Sequence, residues 1–336
     1  LPLNLVDDEA CEKISVLSGN DKNVLYSKSY HSMLKNLNDS QIKMWFHRSG
    51  IKYCPKCLAD NKAHQYLWEL KPISMCAKHN VFLIDTCPGC YNEIQMHALI
   101  RGNCSHCYFH LEFAEPLEIK QHDYIHLAQY QFQQLINGDN KKGFRGLTSI
   151  QVMILFDSLF RVFDGFESFV DTKANFLGSK IKLKSGNQEE YAVSFANMYW
   201  MVVDNFPNHF IHALNVFYRS DSSRKKYRKR HFLNFISNHG EFDFIKKELE
   251  SFKETQIRNG MFPRNIETFD VFFTTKRKQL YYTKRDLFKN FNISKDEIEK
   301  MCESNLLRAK KVVVEAHTNY YFGKQETDRM LKAYLL

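Results

Sequence analysis

The spacing of apolar positions changes along the chain, and each change predicts a different kind of structure. Ala10, Ile14 and Leu17 recur at helical spacing behind Asp7, Asp8 and Glu9, an acidic first turn that complements a helix dipole, so a short helix is expected there. From Trp45 to Glu115 the pattern breaks up. Pro55, Pro72, Pro88, Gly89, Gly102 and a series of cysteines interrupt any long period. Between about Asp123 and Phe273 the helical period returns. Ile150, Ile154, Leu155, Leu159, Val162 and Phe163 form one apolar face, with Thr148 placed to cap it. Pro207 suits the opening turn of a further helix whose stripe is Phe210, Ile211, Leu214 and Phe217. The many Phe and Tyr residues of this region are read as core. No internal repeat is visible.

The last sixty residues follow a third pattern. Thr283 with Asp286 and Ser294 with Glu297 are two capping boxes eleven residues apart, with Phe291, Asn292 and Ile293 as a tight connection. Two short helices are predicted, sharing a core of Leu287, Phe288, Phe291, Ile298, Met301 and Leu306. Val312 to Glu315 and Tyr320 to Phe322 are predicted as strands around a turn at His317, Thr318 and Asn319, followed by a helix over Lys324 to Leu335. The whole is similar to a helix-turn-helix with a small wing.

Composition narrows the class. The 336 residues are 44 % apolar and 25 % charged, with only 13 Gly and 7 Pro, which excludes disordered, collagen-like and mucin-like chains and leaves room for two or three compact domains. The longest mostly apolar run, Tyr191 to Val203, falls short of the ~20 residues of a membrane span. No membrane association is expected, and without a basic-then-apolar leader a cytoplasmic location is. The chain opens on Leu1 without a methionine, which leaves its start open.

Seven of the nine cysteines fall between Cys54 and Cys107. In a reducing compartment that density points to metal and not to disulfides. Cys54-x-x-Cys57 is followed by Cys76-x-x-His79, and Cys87-x-x-Cys90 by Cys104-x-x-Cys107, giving four knuckles and eight donors. The two-residue spacer suits a turn whose backbone N–H groups face the sulfurs, and soft thiolates with one imidazole select zinc. Two zinc ions per chain are expected. With four protein donors each, neither leaves the open position a catalytic zinc needs, so both are read as structural. The short seven-residue gap between His79 and Cys87 favours sequential pairing, with Cys54, Cys57, Cys76 and His79 on one ion and Cys87, Cys90, Cys104 and Cys107 on the other; alternating knuckles are the other arrangement. His64, His97, His106 and His110 are read as neighbouring or surface groups, and Cys11 and Cys302 as small buried hydrophobes.

No phosphate loop, nucleophile elbow, His-Glu-x-x-His or dinucleotide fingerprint is present, so no catalytic residue is assigned. His122 and His126 have the spacing of two ligands on one helix face but lack accompanying carboxylates. The formal charge is +9, with 47 basic against 38 acidic residues. Arg224, Lys225, Lys226, Tyr227, Arg228, Lys229 and Arg230 form a basic interhelical loop suited to nucleic-acid phosphates, with Tyr227 able to stack. Lys276, Arg277 and Lys278, with Lys284 and Arg285, form a second cluster. The helix expected after Ser294 carries Lys295 and Lys300 against Asp296, Glu297, Glu299 and Glu303, the wrong sign for a major groove. It is read as a docking surface for a protein or a second copy of the chain.

The array has a specific likeness. Phe46-His47-Arg48, Tyr53-Cys54-Pro55-Lys56-Cys57-Leu58, Tyr66-Leu67-Trp68-Glu69-Leu70, Cys76-Ala77-Lys78-His79-Asn80 with Leu83, and Cys87-Pro88-Gly89-Cys90 resemble the TniQ/TnsD family of transposition proteins, most densely over residues 46–107. Asn205-Phe206-Pro207 with Phe210 is similar to the family's Trp-Pro-x-x-Phe helix start, with Phe206 for the tryptophan. The family's opening Pro-x-x-Glu-Ser-Leu box is absent, the nearest string being Asp8-Glu9-Ala10-Cys11, so the N-terminal segment is expected to be missing or divergent.

The resemblance implies a bacterial, nucleoid-associated, non-enzymatic adaptor that selects target sites in DNA transposition. In its leading form the adaptor links a CRISPR effector complex and its guide RNA to an AAA+ regulator and the transposase. In the alternative form it recognises a DNA attachment site directly. DNA and a homodimer are the further implied partners.

The expected fold is mainly α with small β: an N-terminal helical segment over 1–45, a tandem zinc-ribbon-like module over 46–118, a helical middle domain over 119–275 and a C-terminal winged helix-turn-helix-like domain over 276–336.

Overall fold

A computed structural model describes residues 8–27, 42, 45–46, 50–61, 64–138, 143–171, 180–182, 188–219, 225–259, 275, 278–314 and 317–335. The chain is mainly helical with small antiparallel sheets, and it divides into two compact units at Phe210 and Ile211. The division falls inside the stretch expected as a single helical domain.

The first unit opens with α1 (Asp8–Ser18) and α2 (Lys22–Ser27). After α3 (Pro55–Asn61) the chain makes a hairpin of two-residue strands, β1 (Met75–Cys76) and β2 (Val81–Phe82), with Met75 opposite Phe82. Single bridges, Tyr53 with Ile84, Thr86 with Glu93 and Asn103 with His110, connect the rest of this module, which also contains α4 (Met96–Arg101). Ladders this short cannot hold a fold alone, so packing takes over. Tyr53, Leu58, Ile94, Leu99 and Leu111 are buried together with Cys87 and Cys104.

Three longer helices complete the unit: α5 (Tyr124–Asn137), α6 (Ser149–Phe163) and α7 (Gln188–Val202). Thr148 and Gln151 close the capping box at the start of α6. Phe195 on α7 lies 5.0 Å from Phe132 and 4.9 Å from Phe156, ring centre to ring centre, so the aromatics of this region form its core. The apolar run from Tyr191 is the interior of α7, buried on all sides from Ala192 to Val202. Among the described residues no helix is long and apolar enough to cross a membrane.

Glutamines join these helices to the small-strand module. Gln129 accepts from the Ser74 N–H at 2.9 Å and donates to Pro72 O at 2.7 Å, while Gln133 donates to Met75 O at 3.0 Å. Both glutamines are buried, and their amides pair with backbone groups in and beside the short β1–β2 ladder.

Helix α8 (Asn208–Arg219) crosses into the second unit, burying Phe210, Leu214 and Phe217 as the stripe predicts, with Ile211 half-buried. It is followed by α9 (Lys225–Asn238) and α10 (Asp243–Arg258). The basic run expected as a loop is, from Lys225 on, the first turns of α9. Lys and Arg are good helix formers, no Gly or Pro intervenes before Gly240, and Phe232 and Ile236, both buried, anchor the helix one turn apart.

The remaining elements are β3 (Tyr281–Thr283), α11 (Lys284–Phe291), α12 (Lys295–Glu303), β4 (Ala309–Val314), β5 (His317–Gly323) and α13 (Lys324–Leu335). Both capping boxes form, and Asn292 takes the left-handed conformation that ends α11. Leu287, Ile293, Ile298, Met301, Leu307, Phe322 and Leu331 make the core, and the sheet order is β3-β5-β4. The hairpin differs from expectation. Val314 pairs with His317 and Val313 with Thr318, so His317, Thr318 and Asn319 belong to the strand and the reversal lies before them. Strand β3 was not expected from the sequence; it pairs with the far side of β5, Tyr282 opposite Phe322.

Candidate metal centre

Each knuckle turns the chain back on itself so that its two donors point the same way. In three of them the residue after the second donor is left-handed and its N–H closes the turn. Asn80 (φ 52°) bonds Cys76 O at 2.9 Å, Tyr91 (φ 59°) bonds Cys87 O at 2.8 Å and Tyr108 (φ 61°) bonds Cys104 O at 3.0 Å. The knuckle at Cys54 differs. Pro55 begins α3, where its fixed φ and missing N–H fit the first helical position, and the Leu58 N–H closes on Cys54 O at 3.0 Å.

The eight donors gather into two clusters, sequentially and not alternately: Cys54, Cys57, Cys76 and His79, then Cys87, Cys90, Cys104 and Cys107. Within each, every donor atom lies within 4.8 Å of the others. Sulfurs 2.3 Å from a tetrahedral zinc stand about 3.8 Å apart, and a sulfur and an imidazole nitrogen about 3.5 Å apart. The Sγ atoms of Cys57 and Cys76 are 3.7 Å apart, those of Cys87 and Cys107 3.5 Å, and those of Cys90 and Cys104 3.6 Å. His79 Nδ1 stands 3.4, 3.3 and 3.7 Å from the sulfurs of Cys54, Cys57 and Cys76. These are the edges of a tetrahedron, too long for disulfides, and both clusters could hold a metal ion of zinc's size.

The thiols do not share their protons evenly. Cys76 falls to about 5, chiefly because Cys54 donates to its sulfur, and burial lifts Cys57 to about 11. In the second cluster the backbone N–H and side-chain amide of Asn92 bring Cys90 down to about 6, while burial pushes Cys87 up to about 12. Each cluster thus holds one acidified sulfur, and binding a divalent ion would favour the thiolate form of its ligands.

The clusters differ in exposure. Cys54, Cys57 and Cys76 are buried, whereas Cys90 is half-buried and Cys107 exposed. Gly89 sits tightly against the second cluster: a Cβ there would lie 3.2 Å from Cys107 Sγ and 3.3 Å from Phe109 Cβ.

Three features around the first cluster were not singled out in the sequence. His79 Nε2, the ring nitrogen turned away from the sulfurs, faces Asp60 Oδ2 at 3.2 Å, and Lys78 Nζ bonds the same oxygen at 2.6 Å. That bond holds the Asp60 carboxyl below its usual range. Lys52, fully buried, donates to Leu70 O at 2.7 Å and to Ile73 O, tying the approach to the first knuckle to the approach to the second. Finally, His126 on α5 meets Asn80 Oδ1 at 3.2 Å, contacting the left-handed residue that follows His79. Only the spacing of His122 and His126 in the sequence had drawn attention to His126.

The other sequence candidates lie apart. His122, left-handed at φ 70°, precedes the helix that carries His126, so the two imidazoles do not share a helix face. His97 bonds Ser105 Oγ at 2.8 Å, His64 packs edge-on against Trp68, His110 packs against Phe113, and neither these nor His106 joins a donor cluster. Cys11 is buried and Cys302 half-buried. Arg224, Lys276 and Arg277 lie outside the described residues, as do the side chains of Lys225, Lys226 and Lys229. Tyr227 is 76 % exposed; Arg230 and Lys278 are also exposed and Arg228 is half-buried. On α12, Glu297 is taken up by its capping box and Glu299 by Lys284 at 2.8 Å, so part of the acidic charge is already matched.

Residues 4–83 match the model of the TniQ family. The match begins before α1, so the N-terminal helical segment expected to be missing or divergent falls within it, and it ends after His79, taking in the first donor cluster but not the second. A search of curated proteins found no match.

Proposed function

We propose, from the TniQ match over residues 4–83, that this chain is a target-selection protein in DNA transposition and acts as an adaptor, binding a CRISPR effector with its guide RNA and recruiting an AAA+ regulator and transposase. The observation that carries the reading is the domain itself, matched across the first donor cluster. The family's members are adaptors without catalytic function, and no residue of this chain is given a catalytic role.

Both clusters hold structural zinc. The donor set is thiolate with one imidazole, the spacings are those of a zinc tetrahedron, and four protein donors fill each site. Zinc ties together a module whose strands are two residues long. Metal analysis is expected to return about two zinc per chain, one for each four-donor set; a value near one removes the second site, which rests on spacing and geometry outside the matched residues.

The basic start of α9, with Tyr227, Arg228 and Arg230, meets nucleic-acid backbone, while α12 with its acidic residues docks a protein. Direct recognition of a DNA attachment site is the other reading, and the +9 charge is what favours it. Gel shifts over a range of salt separate the two. Delegated targeting gives weak binding to any duplex, falling steeply with salt because counterion release is its source. Nanomolar preference for one duplex at physiological salt would establish direct recognition. Co-purification with a guide-RNA-loaded effector tests the leading reading itself, and its failure with intact, zinc-loaded protein would overturn it.

A further inference from the structure

We propose that Asp60 is the positioning residue of the first metal site, fixing the His79 ring so that Nδ1 is the donor, and that Lys78 fixes Asp60 in turn. The inference rests on the reading of the first cluster as a zinc site. An imidazole offers two nitrogens, and which of them meets a metal is set by what the other one touches. Here the assignment is unambiguous in the geometry. Nδ1 faces the three sulfurs at 3.3 to 3.7 Å, and Nε2 faces Asp60 Oδ2 at 3.2 Å. The ring must therefore carry its proton on Nε2, donated to the carboxylate, leaving the Nδ1 lone pair directed into the cluster.

Local structure supplies the carboxylate. Pro55 starts α3 between Cys54 and Cys57, and a residue three positions after Cys57 lies on the same helix face one turn on. Asp60 occupies that position. One short helix thus delivers a sulfur and the group that orients the imidazole. Lys78 stands beside His79 in its knuckle and closes on Asp60 at 2.6 Å, so the ion pair links the first knuckle to the second outside the sulfurs. The Asp60 side chain is 45 % exposed, so the pair adds little stability by itself; its effect is on ring orientation and on the basicity of Nδ1.

The second cluster has four sulfurs and no imidazole, and so serves as the internal control. The test uses the full chain loaded with zinc, with release to a chelator followed over time and cysteine alkylation read by mass spectrometry to tell the sites apart. In Asp60→Ala, loss of zinc from the Cys54, Cys57, Cys76 and His79 site is expected to reach equilibrium at about 10–100-fold lower affinity, the usual effect of losing such a partner, with the second site unchanged. Asp60→Asn, which keeps an acceptor oxygen, is expected to lie between Asp60→Ala and the parent.

Nitrogen NMR of the His79 ring supplies a readout that a merely structural role would not move. The parent is expected to show the Nε2-protonated form with metal on Nδ1, and Asp60→Ala a loosened or mixed form. Unchanged affinity and ring signals in Asp60→Ala, or equal weakening of both sites, would overturn the assignment. A parent chain that binds no zinc through the first cluster would instead overturn the metal reading on which it rests.

Discussion

Lys52 shows how a single residue can be read in two ways. In the sequence it is one of 47 basic residues; in the structure it is fully buried, its pKa lowered well below that of a free lysine by desolvation, with Asp85 nearby opposing the shift. Its amine donates to Leu70 O, which the Ile73 N–H also reaches at 3.0 Å, and to Ile73 O. Losing that donor in Lys52→Met is expected to cost about 1–3 kcal/mol in denaturant unfolding, the penalty for leaving the buried Ile73 O without a partner. The pH dependence has a definite sign. Between its lowered folded pKa and about 10.4, unfolding lets Lys52 take up a proton, so this group makes stability rise with pH across that window. The variant should lose that slope, and a slope identical to the parent's would show that Lys52 is not the group responsible. Asp60 is the complementary case, an exposed residue whose importance lies in what it points at.

At the scale of elements, the knuckle and the helix cap are the two devices that recur. Gly89, in one knuckle of the second cluster, sits against Cys107 of the other, so Gly89→Ala must push Cys107 or Phe109 aside by a few tenths of an ångström. Zinc bound by the second cluster should weaken in this variant, while the first cluster keeps its ion; equal retention at both would mean the turn can yield without cost. The capping boxes of α11 and α12 are independent of metal. Thr283→Ala and Ser294→Ala each remove a side-chain acceptor from the third N–H of a helix and are expected to destabilise the second unit by about 0.5–2 kcal/mol, measured by thermal unfolding. The Tyr281 hydroxyl and Lys310 Nζ both donate to Arg258 O, and Tyr281 also reaches Ile257 O, which satisfies the carbonyl end of α10 with side chains from β3 and β4.

At the scale of the molecule, the first unit combines two ways of making a core. Helices α5 to α7 bury aromatic rings, whereas the stretch from residue 50 to 118 has strands of two residues, a small buried cluster and, on the proposed reading, two zinc ions. Removing zinc with a strong chelator is therefore expected to raise hydrogen exchange throughout residues 50–118 while α6 and α7 stay protected. Uniform protection after metal loss would show that the buried side chains around Tyr53 and Leu111 suffice. The exposed Cys107 makes the second cluster the one that alkylating reagents should reach first, ahead of the buried sulfurs of the first.

Much of this was legible in the chain. Helical periodicity marked α6 and α8, because an apolar face three or four residues apart has few other uses. The capping boxes fixed the starts of α11 and α12 to the residue, since they are local hydrogen-bond patterns written in adjacent side chains. Donor spacing named all eight cluster residues, because a two-residue turn is the whole of what a knuckle needs. What depended on distant residues was not legible. The seven-residue gap between His79 and Cys87 favoured sequential pairing of knuckles but left the alternating one open, and nothing local could turn the basic loop into a helix anchored by Phe232 and Ile236 or place His317 to Asn319 in β5. Nor could it show that Asp60 would meet the far side of the His79 ring, or that Lys52 would be buried. Those facts depend on which surfaces meet across tens of residues, and only the folded chain brings them together.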